Sequence, residues 1–230
     1  MENNEIVTIK GLIKRYPIGG GFFTALNGID LDFGTGEFAG LVGPSGSGKT
    51  TMLNIIGTLD SPSEGTTQIL GNFVGKLSQK QAAKLRKMHL GFIFQTYNLL
   101  PVYTVFENVE FPLLLLDIPH GERRKAVMDA LDWVGLTEKV KSRPAQLSGG
   151  ECQRVAIARA MVKKPVLVLA DEPTANLDAA NSHHILQTME KLNRELKTTF
   201  IFATHDDKVI RYLKRKITLE DGKVIRDVTS

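Results

Sequence analysis

The 230-residue sequence contains one cysteine, Cys152, so no disulfide within the chain can staple it, and a lone thiol suits a reducing compartment. It also lacks a long apolar run. The most apolar stretch, FPLLLLDIP (Phe111 to Pro119), is broken by Asp117 and Pro119, far short of the ~20 residues a membrane-spanning helix needs. Charge of one sign is not in excess: 29 Lys and Arg stand against 25 Asp and Glu, a net +4. That basicity is mild and dispersed, so nucleic acid is not expected as a partner, and the densest basic run, RYLKRK (Arg211 to Lys216), reads as a solvated face. The opening MENNE is acidic where a secretory leader would be basic. Repeats and low-complexity segments are lacking too. What is present is 42% apolar and 23% charged residues, the proportions of a globular protein, in a chain long enough for one large domain or a domain with an insert.

The pattern along the chain alternates strands with helices. EIVTIKGLIKRY (Glu5 to Tyr16) and TALNGIDLDF (Thr24 to Phe33) alternate as strands around a glycine turn at Gly19 to Gly21. EFAGLVG (Glu37 to Gly43) is a short apolar strand, and a helical pattern runs from Lys49 to about Leu59. Ser78 with Gln81, and Thr104 with Glu107, have the spacing of capping boxes. LGFIFQ (Leu90 to Gln95) and PVLVLADE (Pro165 to Glu172) read as strands buried on both faces. HGERRKAVMDALDWVGL reads as an amphipathic helix, and a further helix runs from about Ala179 to Leu196. TTFIFATH (Thr198 to His205) and KITLEDGKVI, with an Asp-Gly hairpin, complete the chain. Strands alternate with helices at both ends while 96–147 is mostly helical, which predicts an α/β core with a helical insert.

GPSGSGKT fits the phosphate-binding pattern G-x-x-x-x-G-K-[ST], and it falls between a predicted strand and a predicted helix, the context the pattern requires. The glycines of the loop Gly43, Pro44, Ser45, Gly46, Ser47 and Gly48 let its backbone wrap the phosphates; Thr51 follows on the helix. Lys49 neutralises charge at the outer phosphates, and Thr50 offers a hydroxyl to Mg2+. The acid that such a site needs is Asp171, at the end of the VLVLADE strand. Glu172 is the candidate general base, because adjacent side chains diverge as a chain leaves a sheet. Gln95 and His205 close two other apolar strands, so they fall on the same carboxyl edge, and His205 is predicted to sense the γ-phosphate. A second glycine-rich helix start, QLSGGECQRVAIARA (Gln146 to Ala160), has the chemistry of another anion site. Cys152 lies in its first turn, where a thiol is either acidified by the helix or simply packed; packing is the commoner condition.

In order and spacing, GPSGSGKTT, Gln95, LSGGE, VLVLADEPTANLD and the ATH ending at His205 resemble the nucleotide-binding subunit of ABC transporters, over essentially the whole chain. GFIFQTYNLLPVYTVFENVEFPLLL and the stretch from RPAQLSGGE to DEPTANLD are similar to the ATPases of the lipoprotein-release and macrolide-export group. That resemblance implies a P-loop (RecA-like) α/β fold with an amino-terminal antiparallel β subdomain and an inserted helical subdomain. The implied division is one ABC ATPase domain over 1–230, with the core at 1–95 and 148–230 and the insert at 96–147. It implies that Tyr16 stacks on adenine and that Gln95 contacts Mg2+ and the attacking water. Leu147, Ser148, Gly149, Gly150 and Glu151 would form the signature, with Ser148 and Gly150 holding ATP bound to a second copy; Asn176, Leu177 and Asp178 would form a loop at the dimer contact. The implied cofactors are ATP and Mg2+. The implied partners are a second copy of the chain and an integral-membrane permease docked near 96–116, with the chain peripheral on the cytoplasmic face of the membrane. Coupling to a membrane protein for signalling or cell-wall and division control, without transport, stays open at this point. A soluble ABC protein acting on DNA or ribosomes would carry a second cassette or a long insert, and this chain has neither.

Overall fold

The computed structural model describes residues 5–229; of the MENNE stretch only Glu5 falls within it. The chain order is β1 (Glu5–Ile18), β2 (Gly21–Gly34), β3 (Phe38–Val42), α1 (Lys49–Ile56), β4 (Glu64–Ile69), β5 (Asn72–Phe73), α2 (Gln79–His89), β6 (Leu90–Phe94), α3 (Val105–Leu115) and α4 (His120–Trp133). Then come α5 (Gly149–Met161), β7 (Leu167–Asp171), α6 (Ala179–Leu196), β8 (Thr199–Thr204), α7 (Asp207–Ile210), β9 (Arg215–Glu220) and β10 (Lys223–Thr229). They build two sheets. One is antiparallel, ordered β2-β1-β4-β5; the other is ordered β10-β9-β3-β8-β7-β6, parallel from β9 to β6 with β10 antiparallel at its edge.

The inner parallel strands β3, β6, β7 and β8 are mostly apolar because both faces are covered. Along β8, Phe200 and Phe202 face one core while Ile201 and Ala203 face the other, the two-residue period of a strand. The first core lies between the sheet and helices α3 to α6, the second between the two sheets, where α1 is buried through Met52, Leu53, Ile55 and Ile56. Each such side chain removed from water contributes about 1.5–3 kcal/mol.

Local signals set most of the helix ends. Ser78 and Thr104 both form the reciprocal capping box, with Gln81 and Glu107 answering at the third helical position. Several boundaries differ from the sequence expectation. Helix α1 stops at Ile56 rather than near Leu59, because Thr58 turns left-handed, φ 55°, and the Leu59 N–H closes back on the Asn54 carbonyl at 2.8 Å. Strands β1 and β2 run on to Ile18 and back to Gly21, so Tyr16 is inside a hairpin arm and opposite Phe23. Strands β4 and β5 are additions: EGTTQI is polar on its open face and β5 is two residues long, so neither carries a clear alternation.

Candidate active site

The parallel order brings the carboxyl ends of β3, β6, β7 and β8 to one edge of the sheet, and the candidate residues follow directly from those ends. After β3 the chain enters the Gly43–Gly48 loop and then α1, whose first residue is Lys49. Gly48, at the cap, has φ 103°, and a Cβ there would come within 2.7 Å of the Ala25 carbonyl oxygen, so only glycine fits. The loop is braced from outside. Gly222, in the β9–β10 turn, donates its N–H to the Ser47 carbonyl at 3.2 Å and accepts from the Asn27 N–H at 2.8 Å.

Lys49 is buried and donates to the Gly43 and Pro44 carbonyls, at 2.7 and 2.8 Å. Burial pushes its pKa down, against the pull of Glu172 and Asp171. The Thr50 hydroxyl lies 3.2 Å from each Asp171 carboxylate oxygen. Burial raises the Asp171 pKa, with Thr50 opposing. Glu172 takes a left-handed backbone, φ 44°, and its carboxylate has partners other than the Thr50 hydroxyl that Asp171 meets. One Glu172 oxygen accepts from Thr204 at 3.0 Å, and the other lies 2.5 Å from His205 Nδ1. Together with loop residues between Ser45 and Thr51, and with Phe23, Ala25 and Gln95, Glu172 and His205 line a cleft of about 360 Å3.

Two sequence candidates lie beside this cleft. Tyr16 donates its phenol to Asp60 at 2.8 Å and carries Lys14 over its ring at 4.8 Å. Burial and Asp60 raise its pKa, with the nearby Thr51 hydroxyl opposing. Asn176 donates to the Gln95 carbonyl at 2.9 Å, Leu177 packs on the helical core, and Asp178 caps α6 by accepting from the Asn181 N–H at 2.8 Å. The LSGGE residues stand apart: none of them lines the cleft among the described residues. Ser148 caps α5, accepting the Glu151 N–H at 3.3 Å, while Glu151 accepts the Ser148 N–H at 2.8 Å and pairs with Lys139 at 3.3 Å. Leu147 packs on the helical core, and Gly149 and Gly150 open the helix; a Cβ on Gly150 would meet Asn181 at 2.7 Å. Cys152 is buried, 3.7 Å from the Pro144 carbonyl, and burial raises its pKa, so this thiol is packed rather than acidified.

Three contributors were not singled out from sequence. Phe23 walls the cleft with half its surface open, and counting back across the hairpin from Tyr16 finds it. Asp60 acts through a side-chain contact that has no residue pattern of its own, and Gly222, legible as the glycine of the Asp-Gly hairpin, gives no sign in sequence that it braces the loop.

A strand–GPSGSGKT–helix unit with Asp171 at the neighbouring strand end defines a nucleotide-hydrolysing P-loop ATPase. The family model described as "ABC transporter" matches residues 26–175, and the chain belongs to that family. It is 40% identical over 220 residues to a lipoprotein-releasing system ATP-binding protein, LolD, of Bacteroides fragilis, covering 96% of this chain and 100% of that protein. It is 42% identical over 222 residues to a macrolide export ATP-binding/permease protein, MacB, of Paracoccus denitrificans, where 96% of this chain spans 33% of that protein. The ATP-binding cassette MJ0796 of Methanocaldococcus jannaschii, solved as a post-hydrolysis dimer bound to ADP and Pi, superposes with a TM-score of 0.89 at 42% identity, covering 97% of this chain and 98% of that one. The chain is therefore an ATP-hydrolysing, nucleotide-binding ABC subunit of the lipoprotein-release and macrolide-export group. Among the described residues no helix is long and apolar enough to cross a membrane.

Proposed function

We propose that two copies of this chain close around two ATP molecules and drive a separate integral-membrane permease in export or lipoprotein release. The observation that carries the stoichiometry is the separation of the two anion-directed segments: the cleft holds Lys49, Thr50, Gln95, Glu172 and His205 but no residue of 147–151. A second copy supplies the missing side, with Ser148 and Gly150 facing the γ-phosphate and Asn176, Leu177 and Asp178 at the contact. The MJ0796 cassette is described as dimeric, which supports this reading.

Within each site, Ser45 to Thr51 wrap the phosphates through backbone N–H groups, with Gly43 and Pro44 leading the chain into the loop. Lys49 holds negative charge on the outer phosphates, and Tyr16 with Phe23 bounds the space beside the loop for the base. The residues fit a hard cation. A hydroxyl and a carboxylate facing each other are oxygen donors suited to Mg2+, so Thr50 and Asp171 would hold it, with Gln95 reaching in from the next strand. Bound there, Mg2+ neutralises charge on the transferring phosphoryl group. Glu172 orients and deprotonates the attacking water, and His205, 2.5 Å from Glu172, fixes that carboxylate and meets the γ-phosphate.

The division of labour within the chain belongs to the same proposal. Residues 1–95 and 148–230 form the nucleotide core, and 96–147 form a helical insert that faces the permease through 96–116. Val102, 72% exposed, with Leu114, Leu115 and Phe111, gives that segment an open apolar face, while Val105, Val109 and Leu113 pack inward. Docked in this way, the chain sits peripherally on the cytoplasmic face of the membrane. The test is Glu172→Gln with Mg-ATP, followed by mass in solution. Dimer formed only with ATP is the expected result; a variant that binds ATP yet stays monomeric at high concentration overturns the two-chain site.

A further inference from the structure

Just past Gln95 the backbone takes a conformation that its residues disfavour. Tyr97 and Asn98 are both left-handed, with φ of 60° and 49°. The Asn98 N–H donates to the Thr96 carbonyl at 2.6 Å, closing a three-residue turn around Tyr97. With φ positive at its centre this is the rare, strained form of that turn, and a bulky residue there is an outlier. Such a conformation persists only where its surroundings over-determine it.

The restraint comes from α5. Arg159 spends both arms of its guanidinium on the turn, Nη2 donating to the Tyr97 carbonyl at 2.6 Å and Nη1 to the Asn98 carbonyl at 2.5 Å. It is half-buried, and among the described residues no carboxylate pairs with it, so its donors go to the two carbonyls that the left-handed pair presents. The planar guanidinium presents two arms in one fixed geometry, which sets the spacing of the two carbonyls as a single ammonium nitrogen does not. Two further contacts fasten the same segment. Asn176 holds the Gln95 carbonyl at 2.9 Å, and the Tyr97 hydroxyl lies where a Cβ on Gly149 would come within 3.0 Å. Helix α5 therefore abuts this turn with its first residue and grips it with its eleventh.

We propose that Arg159 is a positioning residue for ATP hydrolysis: its fork clamps the Tyr97–Asn98 turn and thereby holds Gln95 at the cleft. Arg159 touches neither the phosphate loop nor the cleft wall; it acts through the backbone between residues 95 and 98. Because α5 is one rigid rod, a shift of the LSGGE end is transmitted to Gln95 through the same clamp. The inference rests on the reading of Gln95 given above.

The experiment compares Arg159→Lys, Gln95→Ala and the double variant Arg159→Lys with Tyr97→Gly, measuring phosphate release at saturating Mg-ATP, affinity for a fluorescent ATP analogue, and thermal melting. Lysine keeps the charge and loses the fork. The expected result for Arg159→Lys is a fall in kcat of about 10- to 100-fold with analogue affinity within about twofold, since a displaced positioning group costs that much. Tyr97→Gly is expected to restore much of the lost rate, because glycine holds positive φ without a clamp. The clamp is overturned if Arg159→Lys keeps its kcat while Gln95→Ala is slow. It is equally overturned if rate, affinity and melting fall together and Tyr97→Gly rescues nothing, which is the signature of a merely structural arginine. A fully active Gln95→Ala removes the reading of Gln95 itself, and the catalytic role of the clamp with it.

Discussion

Helices α1 and α5 both begin on glycine-rich turns, and they are finished in opposite ways. Gly48 caps α1 with no side-chain hydrogen bond, and no acid stands in its first turn, so its N–H groups are left free for an outside anion. Ser148 caps α5 with a full reciprocal box, and the Glu151 carboxylate already occupies the Ser148 N–H. The acids near the two starts are tuned in opposite directions. Burial raises the Asp171 pKa beside α1, whereas the Ser148 N–H lowers that of Glu151 on α5. The lesson is a division between a site that costs stability until its cation and nucleotide arrive and a site that is comfortable when empty.

The comparison breaks most visibly in turnover. Lys49→Ala is expected to lower kcat/KM about 10²- to 10³-fold, the loss typical of one preorganised charge donor. Its affinity for a fluorescent ATP analogue falls too, even at protein concentrations where chains are single. Ser148→Ala is expected to lower kcat about 10- to 100-fold, in line with a hydrogen bond to a charged group. Its single-chain affinity for the analogue stays unchanged. If both variants lose single-chain affinity equally, the two helix starts serve one site and the contrast collapses.

A smaller and opposite pair of effects sharpens it. Glu151→Ala should lower the melting temperature of nucleotide-free protein by about 2–4 °C, the shift for roughly 1 kcal/mol of cap in a domain of this size. Because the folded pKa of Glu151 is depressed, its stabilisation is present above the ordinary carboxylate range and fades as pH drops through the folded value. Asp171→Asn should raise the nucleotide-free melting temperature while turnover is lost. The folded pKa of Asp171 is raised, so the folded state binds the extra proton and stability falls as pH climbs from the ordinary value to the raised one. Above that window the buried charge remains a cost that asparagine removes. Melting curves at neutral and acid pH, without nucleotide, check both signs.

Much of the site was legible because its chemistry sits at the ends of apolar runs. Asp171 and Glu172 close β7, His205 follows β8, and Gln95 follows β6, so a parallel sheet places all four on one edge without further information. The two adjacent carboxylates of Asp171 and Glu172 have separate partners, Thr50 for the first and Thr204 with His205 for the second. What stayed hidden depends on backbone rather than residue type. The two carbonyls that Arg159 grips converge only after Tyr97 and Asn98 turn left-handed, and no residue pattern announces that. Strands β4 and β5 were hidden for a different reason: threonines and a two-residue partner give no period to count.

The Gly222 contact has a consequence in time. The phosphate loop is complete in sequence by Thr51, yet one of its braces, the Gly222 N–H on the Ser47 carbonyl, is contributed some 170 residues later. At ribosomal speeds of about 5–20 residues per second, that brace leaves the exit tunnel roughly ten to thirty seconds after the loop itself. For most of that interval β3, which leads into the loop, lacks its neighbours β8 and β9, and the loop lacks Gly222 throughout. The nascent chain thus acquires a firm grip on nucleotide only after Gly222 has emerged, by which point the 147–151 segment and the strand ends that bear Glu172 and His205 have emerged too.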